Sequence, residues 1–355
     1  INMDTLRVDG TVALTTHGNG AATIVNDDEI DFVAMTVRGN LSATATDGNI
    51  TQSGALTITG TSTLETIANN ATITLNDANA FTGWVALNTT GSSAHATVVD
   101  ASGLNLGASV VGGILTATAT QGGITQSGVL EITGTAKFIT EVDDQSIILG
   151  EANEFASSVT MQAGNGDNRT FDHITFKNSG GVDLVSSASS SAGKLFIDAT
   201  TNLAVGGNLT LTSGAAAGIT DSDNVTVTGN LIATTNANSG VINMGTLRVD
   251  GTVALTTHGD GDATIVNDDE IDFETSIVRG NLSATASAGN IIDTGVLTIS
   301  GTSTFTTSQS NDDITLGSVN VFTGAVALNT SGSTGHAVVD NGTTALIIAA
   351  STVGG

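Results

Sequence analysis

The 355 residues carry 8 Lys and Arg against 34 Asp and Glu, a formal net charge of −26; such a surface repels nucleic-acid phosphates and anionic lipid, so neither is an expected partner. The chain has no Cys and no Pro, 3% of its residues are aromatic and 39% are hydrophobic, which excludes a disulfide scaffold and is too apolar for a solvated, disordered coil. No apolar run approaches the ~20 residues of a membrane-spanning helix, the longest being Ala345-Leu346-Ile347-Ile348-Ala349-Ala350.

Ile1-Asn2-Met3 returns as Ile242-Asn243-Met244, 241 residues later, and the match continues to the end of the chain. Asn26-Asp27-Asp28-Glu29-Ile30-Asp31-Phe32, for example, returns at residues 267–273. We read residues 1–241 as one full super-repeat and residues 242–355 as part of a second. Together they are expected to form a single continuous solenoid, a segment of a longer array.

A shorter period lies inside the long one. Leu41-Ser42-Ala43-Thr44-Ala45 recurs as Leu115-Thr116-Ala117-Thr118-Ala119, and Ile50-Thr51-Gln52-Ser53-Gly54 as Ile124-Thr125-Gln126-Ser127-Gly128, each 74 residues on. Within these copies apolar residues alternate. Leu56 and Ile58 flank Thr57, Ile73 and Leu75 flank Thr74, and Val85 and Leu87 flank Ala86. Period-two alternation predicts strands with one buried face. Clusters of Gly, Asn, Asp and Ser between them are turn chemistry. No stretch shows helical periodicity.

Two all-β architectures fit such a pattern, a string of sandwich domains or a parallel β-helix. The short, irregular spacing favours the β-helix, with coils of roughly 20–25 residues whose strands stack about 4.8 Å apart. Lack of proline agrees, because every stacked strand needs its N–H groups. Asn79-Ala80-Phe81, Asn153-Glu154-Phe155 and Asn320-Val321-Phe322 mark a recurring corner. There the Asn is expected to bond turn backbone and the Phe to point inward.

The run Gly39-Asn40-Leu41-Ser42-Ala43-Thr44-Ala45, the Ile50-Thr51-Gln52-Ser53-Gly54 motif, Leu56-Thr57-Ile58-Thr59-Gly60-Thr61 and the Asn79-x-Phe81-Thr82-Gly83 stretch resemble repeats of filamentous-haemagglutinin-type surface proteins. The resemblance implies a right-handed parallel β-helix, export across a bacterial envelope, and a place at the cell surface as an adhesin or fibre. That family's secretion module carries an Asn-Pro motif, which a chain without proline lacks.

The densest carboxylates, Asp27-Asp28-Glu29-Ile30-Asp31, are duplicated at Asp268-Asp269-Glu270-Ile271-Asp272. A β-helical polysaccharide-degrading enzyme needs one unrepeated carboxylate groove, so duplication argues against catalysis and we expect no enzyme. Calcium is the cofactor these oxygens would suit, with Asp27, Asp28, Asp260, Asp262, Asp268 and Asp269 as candidate ligands. Asp260 and Asp262 align, however, with Asn19 and Ala21. The residues 164–194 repeat least and contain Arg169, His173, Lys177 and Lys194, the place to look for a carbohydrate- or receptor-binding patch. Trp84, the single tryptophan, is a candidate sugar-stacking residue expected to be exposed. The expected role is structural, in an extracellular filament or adhesin stalk. Its expected partners are adjacent copies of itself, surface glycans, or a host or partner cell.

Overall fold

A computed structural model describes residues 1–164, 171–185, 194–198 and 204–355. The described residues fall into two compact units. The first holds residues 1–164, Phe171 and residues 194–198; the second holds residues 172–185 and 204–355. Each is a parallel β-solenoid, and no helix occurs among the described residues.

In the first unit the coil is set by strand register. Ala22 of strand Ala22–Asn26 pairs with Leu41, Leu41 with Ser62, and Ser62 with Val85, all in parallel. Successive coils thus run 19, 21 and 23 residues, and corner side chains of this unit meet backbone N–H groups at the same spacings, His95 with Ile114, Asn40 with Thr61 and Asn70 with Ser93. The first two of these coils each contain one five-residue strand, such as Leu41–Ala45, and two short ones, such as Ile50–Gln52 and Leu56–Ile58, while in the third the two short positions join in one strand, Ile73–Phe81. Burial along Leu41–Ala45 alternates, as the sequence pattern predicts. Inward residues stack as Ile30 on Ile50 on Ile73 and as Ile24 on Ala43 on Leu64 on Leu87. The core is therefore a column of aliphatic layers, capped at intervals by phenylalanine. Phe138 and Phe155 meet edge to face at 6.1 Å, as do Phe273, Phe305 and Phe322 in the second unit at 6.3 and 5.9 Å.

Two devices hold the corners. One is a glycine column, Gly39–Gly60–Gly83, in which Gly60 N–H donates to Gly39 O at 3.1 Å. A Cβ on Gly60 would stand 2.6 Å from Gly39 O, and one on Gly83 would stand 2.5 Å from Gly60 O, so this corner closes only without side chains. The other device is buried asparagine. Asn79, Asn153 and Asn320 are fully buried, and their Oδ1 atoms accept from the backbone N–H of Leu56, Leu130 and Leu297 at 2.8–2.9 Å. Phe81, Phe155 and Phe322 beside them are buried as well. The predicted Asn-x-Phe corner is present in both units.

After the third coil the repeat departs from whole turns. Strand Val85–Thr89 stacks on Ser62–Thr66, but the next long strand, Ala96–Asp100, stacks on Ile73–Leu75, a short-strand position. Leu106, Val110 and Val111 then cover Val85, Asn88 and Thr89. A 74-residue copy is three coils plus the part-coil of residues 85–95. The second unit does the same: Val326–Ser331 stacks on Ser303–Ser310, and Ala337–Val339 then stacks on Ile314–Leu316.

Candidate functional site

Alternation along strand Phe171–Asn178 turns His173, Thr175 and Lys177 outward and buries Ile174 and Phe176. The structure thus brings His173 and Lys177 onto one face. Arg169 lies outside the described residues, as does the side chain of Lys194. His173 acts structurally, its Nδ1 accepting from Asn208 N–H at 2.7 Å. Asn208 Oδ1 in turn accepts from Asn230 N–H at 2.9 Å, and Asn230 Oδ1 from Thr252 N–H at 3.0 Å. One corner of the second unit is therefore a ladder in which each side chain receives the backbone N–H of the coil above. His95 performs the same role towards Ile114 N–H at 2.9 Å. Accepting at Nδ1 places the neutral ring's proton on Nε2.

The carboxylates are distributed in the same way. Asp262 Oδ1 accepts from Asn281 N–H and Nδ2 at 2.6 and 3.0 Å, and Asn281 Oδ1 from Thr302 N–H at 2.9 Å. Asp260 accepts from the Ser239 hydroxyl. Asp28 and Asp269 each accept the N–H of the next residue at 2.9 Å, while Asp27 and Asp268 are exposed. No group of three or more His, Cys, Asp or Glu that could hold a metal ion occurs among the described residues.

Arg248 reaches carboxylates of two coils. Its Nε donates to Asp250 Oδ1 at 3.2 Å, and its Nη2 lies 3.6 Å from Asp269 Oδ2. It separates two shallow grooves, one of about 310 Å³ beside Thr246, Val266 and Asp268, the other of about 580 Å³ beside Asp250, Glu270 and Asp272. The first groove recurs at about 360 Å³ around Arg7, lined by Thr5, Val25 and Asp27. These are residues 241 positions earlier. Arg7 likewise approaches Asp9, at 3.7 Å. Near Arg248, Asp221 accepts from Gly245 N–H, Thr246 N–H and the Thr246 hydroxyl at 2.7–3.0 Å. Burial nevertheless pushes its carboxyl above the usual range, the hydrogen bonds opposing this.

Trp84 is half-buried rather than exposed. Its ring lies over Gly107, where a Cβ would stand 2.5 Å from Trp84 Cε3. The bulk of one residue fills the space left by the other, so one flank of the indole is already used. Neither the acceptor ladder nor the Arg248 grooves follow from sequence reasoning. The signal for the ladder was Asn or Asp directly after a glycine at coil spacing, as in Gly207-Asn208, Gly229-Asn230, Gly261-Asp262 and Gly280-Asn281.

Three stretches, residues 19–88, 93–162 and 260–329, match a family of repeats of unknown function (DUF5649). They cover more than half of the chain. The chain belongs to this family. Each DUF5649 repeat starts just before a long strand and ends inside the strand of the part-coil, Val85–Thr89 in the first copy and Val326–Ser331 in the last. One repeat therefore corresponds to three coils and most of the extra strand. No curated protein and no solved structure matches the chain.

Proposed function

We propose that this chain is a structural segment of a bacterial cell-surface fibre or adhesin stalk of the filamentous-haemagglutinin type, acting outside the cell, without catalysis and without a resident cofactor. The observation that carries this reading is that the features able to serve as a site are either repeated or used to tie coils together. The groove at Arg248 has a counterpart at Arg7, and His173 and Asp262 are spent on tying one coil to the next. A catalytic centre is normally single, whereas a scaffold repeats its parts. Strand ladders and buried corner asparagines resist extension, and the net charge of −26 keeps neighbouring copies from clumping along their sheets. Adjacent copies of the chain are the partners this reading requires.

The test is protease shaving of intact producing cells, with the released peptides identified by mass spectrometry. Peptides from this chain released before lysis support the reading. Release only after lysis overturns it. A second reading, a carbohydrate- or receptor-binding module, is favoured by the outward face shared by His173, Thr175 and Lys177. It requires binding on a glycan array that Lys177→Ala abolishes.

A further inference from the structure

Asn26, Asp100, Asn267 and Asn341 occupy one equivalent corner position at or just beyond the end of a strand. The first three are fully buried, and Asn341 is 6% exposed. In the asparagines the carboxamide works in both directions. Asn26 Oδ1 accepts from Val8 N–H at 2.9 Å, while its Nδ2 donates to Val8 O at 3.1 Å and Glu29 O at 2.6 Å. Asn267 repeats this with Val249 and Glu270, and Asn341 with Phe322 and Thr344. The side chain thereby clips the coil below to its own turn through both an N–H and two carbonyls.

Asp100 supplies only half of the clip. Its Oδ2 accepts from Phe81 N–H at 3.2 Å and its Oδ1 from Ser102 N–H and hydroxyl at 2.9 and 3.0 Å. An ionised carboxylate has no proton to give, so the carbonyls of Phe81 and Gly103, the counterparts of Val8 and Glu29, receive no donor from it. We propose that Asp100 is a proton-operated corner clamp: as the neutral acid it donates to one of these carbonyls as the asparagines do, and the corner tightens when the surroundings turn acidic.

The surroundings favour the neutral acid. Burial raises the Asp100 pKa above its ordinary 3.8, against the lowering effect of the Ser102 and Phe81 hydrogen bonds. Strand Ile73–Phe81 below it carries one titratable residue, Asp77, whose carboxylate takes a 3.4 Å bond from Gln52. Strands Leu104–Leu106 and Leu115–Ala119 carry none, and no Lys, Arg or His stands on any of these elements. Because the folded-state pKa is raised, the folded chain holds more protons than the unfolded chain between about pH 3.8 and that raised value. Stability therefore falls as pH rises through this window, and the penalty persists at neutral pH.

The test compares thermal unfolding of the full chain with Asp100→Asn at about pH 7.5, above the window, and about pH 4, at its lower edge where the folded carboxyl is mostly protonated. The variant is expected to melt higher than the parent at pH 7.5, with the gap shrinking towards pH 4. A variant that melts no higher at pH 7.5, or a gap of equal size at both pH values, overturns the proposal. The reverse change, Asn26→Asp, provides an independent arm: it is expected to lower the melting temperature more at pH 7.5 than at pH 4. A pH-independent loss overturns the proposal for this corner. Hydrogen exchange at the Phe81 amide gives the local readout, with protection in the parent increasing as pH falls after correction for intrinsic exchange. Unchanged corrected protection also overturns it.

Discussion

Replacing Asn79 by alanine tests whether the buried corner asparagines hold the solenoid together. Asn79 Oδ1 accepts from Leu56 N–H at 2.8 Å and Gln52 Nε2 at 2.9 Å, and Nδ2 donates to Gln52 Oε1, Asp77 O and Val99 O at 2.9–3.1 Å. Three coils meet at this one carboxamide. Alanine leaves at least two groups without partners, Leu56 N–H in the coil below and Val99 C=O in the coil above. Each buried orphan costs about 1–3 kcal/mol, so the expected loss is roughly 2–6 kcal/mol. In a solenoid that loss is local. A central value of about 4 kcal/mol corresponds to an opening equilibrium for residues 41–105 shifted by roughly 10³. Native-state hydrogen exchange at the Leu56 amide reads this directly, alongside urea unfolding. Asn79→Asp separates the two halves of the effect, because it keeps the acceptor for Leu56 and removes the donors to Val99 and Asp77. Gln52→Ala is the milder control, since Asn79 keeps Leu56. A cost below about 1 kcal/mol for Asn79→Ala, within the range of one ordinary hydrogen bond, would refute the reasoning.

Gly60→Val places a branched side chain against Gly39 O, 2.6 Å from its Cβ. It should cost about 1–3 kcal/mol or more by forcing the coils apart, seen as a lowered urea midpoint; an unchanged midpoint would mean the corner can open freely. Since the net charge is −26, raising sodium chloride from about 0.02 to about 0.5 M should raise the melting temperature by screening self-repulsion, and a fall would contradict this. Calcium and magnesium chloride at equal ionic strength should shift the melting temperature equally, because among the described residues the acidic side chains are not gathered into a group able to hold a metal. An excess shift with calcium, measured by calorimetry, would reveal a site.

Much of the fold was legible because burial in a strand has the shortest period a sequence can show. Leu56, Ile58, Ile73 and Leu75 alternate with polar neighbours, and all four are fully buried. The Asn-x-Phe corner was legible because its two residues recur together with different chemistry between them. Register was not legible. Nothing in the Val85–Thr89 sequence says that the next strand will stack on Ile73 rather than on Val85, because both surfaces are aliphatic and pairing runs through backbone. The roles of His173 and Asp262 were hidden for a related reason. Each side chain meets a backbone N–H in the next coil, and a backbone partner leaves no mark on the sequence. Trp84 was misjudged as exposed because the residue that admits its ring is Gly107, one coil away.

The part-coil makes the DUF5649 repeat a unit of sequence while the coil remains the unit of packing, and deletions separate the two. Removing residues 22–95 deletes one whole sequence copy, and Ala96 takes the place of Ala22. Strand Ala96–Asp100 then stacks on Asn2–Leu6, as Ala22–Asn26 does now, and every later coil keeps its own neighbours. Removing residues 85–95 alone is the smaller change and should do more harm. It drops Ala96–Asp100 onto Ser62–Thr66, so Asn79 loses the Val99 carbonyl and Phe81 N–H loses Asp100. At least one buried group is orphaned at about 1–3 kcal/mol. The long deletion should therefore melt close to the parent, and the short one lower, with exchange protection lost first at residues 73–81. Equal melting of the two deletions would show that stacking is indifferent to which strand lies beneath, and that the extra strand sets no phase. If the order is as expected, equivalent positions 74 residues apart point to different sides of their coils. A partner reading one side would then meet alternating parts of the repeat.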